Sequence, residues 1–221
     1  MSKIFLEGLP GAGKSTALEI MAAENVPVVR ELGLVLGLDA FPGNGTTVSE
    51  ILAIEDWFID QEAERMKCKD AVFDRSYFSH LTYAYGYGRH VRLNSLEPSV
   101  KGYEQAIKTG KLALPDAVVY VDVDPELSIE RQYKRASTGV PLLDDFWMDK
   151  FFLQDLRDAY GSLFNACSGI DILLQDGEKE SAVIARNIAD FYGSLNANTT
   201  TLHPEIHLGR YVMNLETLHN S

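Results

Sequence analysis

The sequence predicts an α/β fold in which a parallel β-sheet is covered by helices on both faces. Two observations carry this. Short apolar runs alternate with stretches of helical spacing along residues 1–195, about five of each and without internal repeat. The first strand and helix are joined by a turn, residues 8–15, that matches the phosphate-binding pattern G-x-x-x-x-G-K-[ST] with a strand before it and a helix after it.

Composition bounds the rest. A chain of 221 residues, 46% hydrophobic and 24% charged, fits one α/β domain with room for a small appendage. A net charge of −12 argues against a broad surface that tracks nucleic acid, so anionic ligands must be held by a few placed cations. Cys68 and Cys167 form no C-x-x-C pair and give neither a metal framework nor a disulfide pattern. No charged-then-apolar leader and no run of membrane-spanning length is present, so a cytoplasmic chain without a membrane partner is expected.

Taken in order, Ile4, Phe5 and Leu6 form the first strand. In the turn that follows, made of Gly8, Pro10, Gly11, Ala12 and Gly13 among others, the glycines let the backbone curl so that N–H groups converge on an anion at the helix start. Lys14 reaches the β- and γ-phosphates, Ser15 places its hydroxyl on Mg²⁺, and Thr16 opens a helix over residues 16–23. Residues 26–29 supply a second strand, whose end presents Arg30 and Glu31 to the crevice where open α/β sheets bind ligands. Residues 33–46, rich in Gly with Pro42 and Asn44, read as a mobile loop.

Residues 49–67 carry apolar side chains at helical spacing. Trp57 and Gln61 are candidate substrate contacts here; Trp57 and Phe58 otherwise read as core, and Asp60, Gln61, Glu62 and Arg65, some of which could face a substrate, as a solvated face. A third strand at 71–73 ends in Asp74, Arg75 and Ser76. The next helix, 77–89, frays at Gly86 and Gly88, and its tyrosines, Tyr83 among them as a substrate contact, either wall a flat-ring pocket or belong to core and rim. A helix at 98–109 precedes the clearest strand, 117–123, which ends in a turn at Asp124 and Pro125. Asp122 and Asp74 both suit the acidic position beside a phosphate-bound metal.

The helix from 126 onward carries Arg131, Lys134 and Arg135 on one face before the flexible run ASTGVP, which together read as a lid over phosphates at about 131–145. A helix at 146–164, a strand at 170–174 and a helix at 181–195 complete the domain. The tail, 196–221, is expected to dock on the domain or on a partner subunit, as in a homodimer. Its His203 and His207 bracket Pro204 and do not read as a metal site, and the glycosylation pattern at Asn198 carries no weight in a cytosolic chain.

The segments FLEGLPGAGKST, VVRELG, VFDRSYFSHLTY, PDAVVYVDVDPELSIERQYKRA and ILLQDGEKESAVIARNIADF follow one another as in the thymidylate kinase and deoxynucleoside kinase group of P-loop kinases, which the chain resembles over about residues 3–194. The resemblance implies a P-loop NTPase three-layer sandwich with strand order 2-3-1-4-5 and a lid. It implies transfer of the γ-phosphoryl of ATP, with Mg²⁺, to a small-molecule acceptor: a nucleoside, a nucleoside monophosphate or a related hydroxylated metabolite. On the same ground Lys14 and Ser15 hold phosphate and metal, Asp74 rather than Asp122 takes the acidic place, and Arg75 is the phosphate-binding arginine after it. Arg131 and Arg135 look like lid arginines. Glu31 ends the second strand as base or, if the acceptor is a phosphate, as an organiser beside Arg30.

Two departures stand out. Ser137, Thr138 and Gly139 occupy the region where nucleoside kinases of this type carry a sugar-binding glutamate, and Leu32 stands where thymidylate kinases carry proline. The alternatives are a nucleotide-bound regulatory or degenerate kinase module and a polynucleotide end kinase.

Overall fold

Every side chain of the first strand, β1 (Lys3–Glu7), is buried, as a central strand covered on both faces requires. The structure, a computed structural model, describes residues 2–36, 41–197 and 204–219. After β1 come α1 (Lys14–Ala23), β2 (Val28–Val29), α2 (Leu32–Leu36), α3 (Val48–Arg65), β3 (Ala71–Asp74), α4 (Tyr77–His90), α5 (Leu96–Lys108) and β4 (Ala117–Asp122). Then follow α6 (Pro125–Ala136), α7 (Lys150–Asn165), β5 (Cys167–Ser168), β6 (Asp171–Asp176), α8 (Ser181–Ala197), β7 (Glu205–Ile206) and α9 (Leu208–His219).

The main sheet runs β2-β3-β1-β4-β6, all parallel. This is the anticipated 2-3-1-4-5 order, because the short β5 leaves the sheet and pairs with β7 instead. Strand period two divides the core. Ile4, Leu6, Val72, Val119 and Val121 face α1 and α8, whereas Phe5, Phe73 and Val118 face Tyr77, Phe78, Tyr103 and Leu163 from α4, α5 and α7. Phe5 makes edge-to-face contacts with Phe73, Tyr77 and Phe78 at 5.4–5.9 Å.

Caps fix where the helices that line the crevice begin. Thr47 and Glu50 form a reciprocal capping box at α3, and the Ser76 side chain accepts from the Phe78 N–H at α4. Asp124, followed by Pro125, caps α6, and Asp149 caps α7 after a 3₁₀ turn over Asp145–Met148.

Three expectations are corrected. The loop of 33–46 contains α2 at its start. The helix anticipated from residue 146 begins at Lys150, its first turn being 3₁₀. And α4 does not fray at Gly86 and Gly88: it continues to His90, because a Cβ at Gly86 would lie 2.8 Å from Leu156 Cδ2 of α7, so glycine is there to let two helices approach.

In the tail, α9 buries Leu208, Tyr211 and Leu215, and the Tyr211 hydroxyl donates to the Leu81 carbonyl at 3.1 Å. Asn198 and His203 lie outside the described residues. Among the described residues, no helix is long and apolar enough to cross a membrane, and no cluster of His, Cys, Asp or Glu forms a ready metal cage.

Candidate active site

The phosphate loop turns between β1 and α1 on glycines that no other residue could replace cheaply. Gly8 has φ +144° and its Cβ would sit 2.5 Å from the Val121 carbonyl oxygen. Gly13 caps α1 in the left-handed region and brings no side chain to the helix's first N–H groups, which are thereby left for an anion. Pro10 and Ala12 are buried beneath the loop, the former pinned by a 2.7 Å bond from Ser128 Oγ to its carbonyl. Lys14 is 5% exposed and its ammonium donates to the carbonyls of Gly8 and Leu9, both at 2.8 Å. Burial, with Arg75 nearby, pulls its pKa down to about 7, and a polyphosphate bound at the loop would favour its charged form. Ser15 and Thr16 start α1 on its exposed side.

Asp74 ends β3 opposite the loop. Its Oδ2 accepts from Ser15 Oγ at 3.5 Å, while Oδ1 is buried without a partner. A hydroxyl and a carboxylate with a spare oxygen, beside a phosphate cradle, are a donor set that fits a hard divalent cation such as Mg²⁺. Burial and Glu31 raise the Asp74 pKa, the direction that a cation would reverse. Asp122, the other candidate, is engaged by Arg157, which donates to its two oxygens at 2.7 and 2.6 Å.

Arg75 follows in a left-handed conformation, φ 58°. Its guanidinium lies 3.3 Å from Glu31 Oε1, and donates to the Gly8 carbonyl at 3.2 Å and to Ser79 Oγ at 3.4 Å. The end of β2, the start of the phosphate loop and the start of α4 are thus tied together. Behind them Glu7, fully buried, accepts from Ser76 and Ser79, each at 2.5 Å, and from Tyr160 at 3.1 Å. Burial pushes its carboxyl up to about 7.

A cavity of about 380 Å³ opens from this point, bounded by Gly8, Leu9 and Pro10 at one end and by α3 and α4 along its sides. Of the anticipated acceptor contacts, Glu31, Arg75 and Tyr83 line it. Tyr83 stacks on Tyr87 and Trp147 at 5.3 and 5.5 Å and donates to Asn44 at 2.8 Å. Asn44 in turn donates to Asp144 at 3.3 Å, so the glycine-rich loop and the segment after α6 meet over the cavity.

Arg30, Trp57 and Gln61 are not among the residues that line the cavity. Consecutive positions on a helix are about 100° apart, and the stripe of α3 that faces inward is Ile51, Glu55, Phe58, Glu62 and Arg65. Trp57 instead packs on Phe41 and Phe58 at 5.6 and 5.1 Å. On the inward stripe, Glu62 Oε1 holds Arg65 at 2.5 Å and faces His80 at 3.3 Å, and His80 stacks on Phe58 at 4.0 Å. Sequence reading has Glu62 and Arg65 among the residues that could face a substrate and Phe58 in the core, and does not single out Glu55 or His80; the signal is the spacing 51, 55, 58, 62, 65.

The two lid arginines differ. Arg131 donates to the carbonyls of Gly11 and Gly177, at 3.2 and 2.7 Å, and so stands at the phosphate loop. Arg135, one turn on, is exposed.

Residues 3–140, more than half of the chain, match the family model described as an AAA domain. A probable thymidylate kinase of Archaeoglobus fulgidus is 27% identical over 150 residues, 60% of this chain and 69% of that protein. Structures of a deoxyadenosine kinase from M. mycoides share the fold. The one with dCTP superposes with a TM-score of 0.65 at 17% identity, and the one with dCMP and dCDP with 0.63 at 17%, each covering 87% of this chain and 99% of the other. The chain therefore belongs to the AAA domain family, and in sequence and fold it is similar to a thymidylate kinase and a deoxyadenosine kinase.

Proposed function

We propose that this protein transfers the γ-phosphoryl group of ATP, with Mg²⁺, to a nucleoside, a nucleoside monophosphate or a related hydroxylated metabolite. The observation that carries this reading is the pair of Glu31 and Arg75, 3.3 Å apart, lining one cavity together with the phosphate loop. The names of the related kinases agree with it.

In this reading the loop N–H groups from Gly11 to Thr16 hold the triphosphate, and Lys14 moves from the Gly8 and Leu9 carbonyls to the β- and γ-oxygens. Ser15 and Asp74 would hold the cation, which would supply neutralisation of phosphate charge. Glu31 accepts the proton of the attacking hydroxyl, and Arg75 orients Glu31 and neutralises charge on the group in flight. Arg131 stands beside the loop from the start, and Arg135 would reach the phosphates only if α6 and the segment after it closed.

A purified sample with Mg·ATP and a panel of nucleosides and their monophosphates, read by ADP release, tests the proposal. Glu31→Gln should lower kcat by roughly 10²–10⁴ with a hydroxyl acceptor while leaving ATP binding intact. An unchanged kcat removes Glu31 from the role of base.

A further inference from the structure

The cavity carries a carboxyl group that this chemistry does not use. Glu55 projects from the inward stripe of α3, is 5% exposed and lines the wall between Ile51 and Phe58. The phenol of Tyr103 on α5 donates to its Oε2, and among the described residues its Oε1 has no hydrogen-bond partner. Unlike Asp74 Oδ1, this oxygen is not sealed off without a partner, so it stands open to the cavity and to a ligand there.

Burial raises this carboxyl to about 8, so it is protonated at neutral pH. Since Oε2 accepts from Tyr103, the proton resides on Oε1 and the group presents an O–H donor. The ionisable groups around it are Tyr103 of α5, Tyr83 of α4, Tyr211 of α9 and Asp56 of α3 itself, and none is a cation that would draw the proton off.

The charges on the wall narrow the acceptor further. Among the described lining residues the carboxyls are Glu31, Glu55, Glu62 and Asp144, and the arginines are Arg65 and Arg75. Both arginines are committed: Arg65 to Glu62 and to the carbonyls of Asp74 and Arg75, and Arg75 to Glu31, Gly8 and Ser79. A phosphate on the acceptor would have to break these pairs among further carboxylates, whereas a neutral ring would meet Phe58, Tyr83, Tyr87 and Trp147.

We propose that the acceptor is a phosphate-free, hydroxyl-bearing molecule with a planar ring, and that Glu55 reads the far end of that ring by donating a hydrogen bond to a ring nitrogen or carbonyl oxygen. The inference rests on the phosphotransferase reading above and names the substrate class of the same site.

The test compares nucleosides with their 5′-monophosphates as acceptors under Mg·ATP, following ADP release for the wild type, Glu55→Leu and Glu55→Gln. Nucleosides should show kcat/KM ~10-fold or more above their monophosphates. Glu55→Leu should raise the acceptor KM by ~10-fold with the KM for ATP unchanged, as expected for one lost hydrogen bond in a desolvated site. Glu55→Gln, whose amide keeps a donor toward the cavity while its carbonyl accepts from Tyr103, should recover most of that loss. The acceptor KM of the wild type should rise above about pH 8 as the carboxyl ionises, and that of Glu55→Gln should not. A preference for monophosphates, an unmoved acceptor KM in Glu55→Leu, or a wild-type KM flat to pH 9 overturns the inference and leaves the kinase reading standing. ATP binding without ADP release for either acceptor class overturns the kinase reading, and the inference with it.

Discussion

Glu7 turns the floor of the site into a pH-dependent element of stability. It is fully buried directly before the phosphate loop, where Ser76, Ser79 and Tyr160 donate to it. Burial, the largest influence, raises its carboxyl from 4.5 to about 7, while the hydrogen bonds and Arg75 oppose that rise. The folded state thus holds a proton that the unfolded chain releases once the pH exceeds about 4.5. Stability from this group is fully present below that pH, falls as the pH rises, and is lost once it passes about 7. From 4.5 to about 7 is some 2.5 decades, which at ~1.36 kcal/mol each amounts to on the order of 3 kcal/mol. Glu7→Gln keeps the shape and removes the titration, at a cost of ~1–2 kcal/mol at pH 5 for one acceptor exchanged for a donor. Urea unfolding of both proteins at pH 5, 6, 7 and 8 isolates the difference, since Glu55 and every other titrating group contribute to both. The wild-type advantage should shrink by about 2.5 kcal/mol across the series and invert between about pH 6 and 7. A difference that stays constant from pH 5 to 8 would show that Glu7 does not titrate there and would refute the reasoning.

Two further substitutions probe the loop and the tail. Gly8→Ala forces a Cβ to within 2.5 Å of the Val121 carbonyl at φ +144°, and should abolish binding of a fluorescent ATP analogue and lower Tm; retained nucleotide affinity would show that the loop does not need this curl. Tyr211→Ala removes a fully buried ring and should cost ~3–5 kcal/mol, whereas Met213→Ala, at a side chain 60% exposed, should stay within about 0.5 kcal/mol. Equal effects in chemical denaturation would deny α9 its part in the core.

The sheet and the donor end were legible because their signals are local. An apolar run such as that of residues 117–121 can only be a covered strand, and the loop's chemistry is written in consecutive residues. The acceptor end was not legible, for two physical reasons. Trp57 and Phe58 are adjacent aromatics, and which of them faces inward depends on a rotation of about 100° that α4 and the glycine-rich loop decide. Glu55 and Glu62 break the apolar stripe of α3, so they read as solvent-facing until Tyr103, 48 residues on, and His80 are seen beside them. Gly86 misled in the opposite sense, since a residue that weakens an isolated helix is favoured where Leu156 leaves no space for a Cβ.

The net charge of −12 takes on a second meaning in this light. An acidic surface repels polyanions in general, but Glu7, Glu55 and Glu62 are interior acids, each under 9% exposed. Lys14, Arg75 and Arg131 gather at the phosphate loop, whereas Glu62 and Asp144 lie on the walls beyond it. The cavity is therefore polar along its length, attractive to a polyphosphate at one end and unfavourable to it at the other. In so confined a space that gradient acts on orientation more than on affinity. In the proposed reaction it would hold the donor's phosphates at the loop, where Glu31 and Arg75 stand, and disfavour at the acceptor end the same anions that the donor end collects.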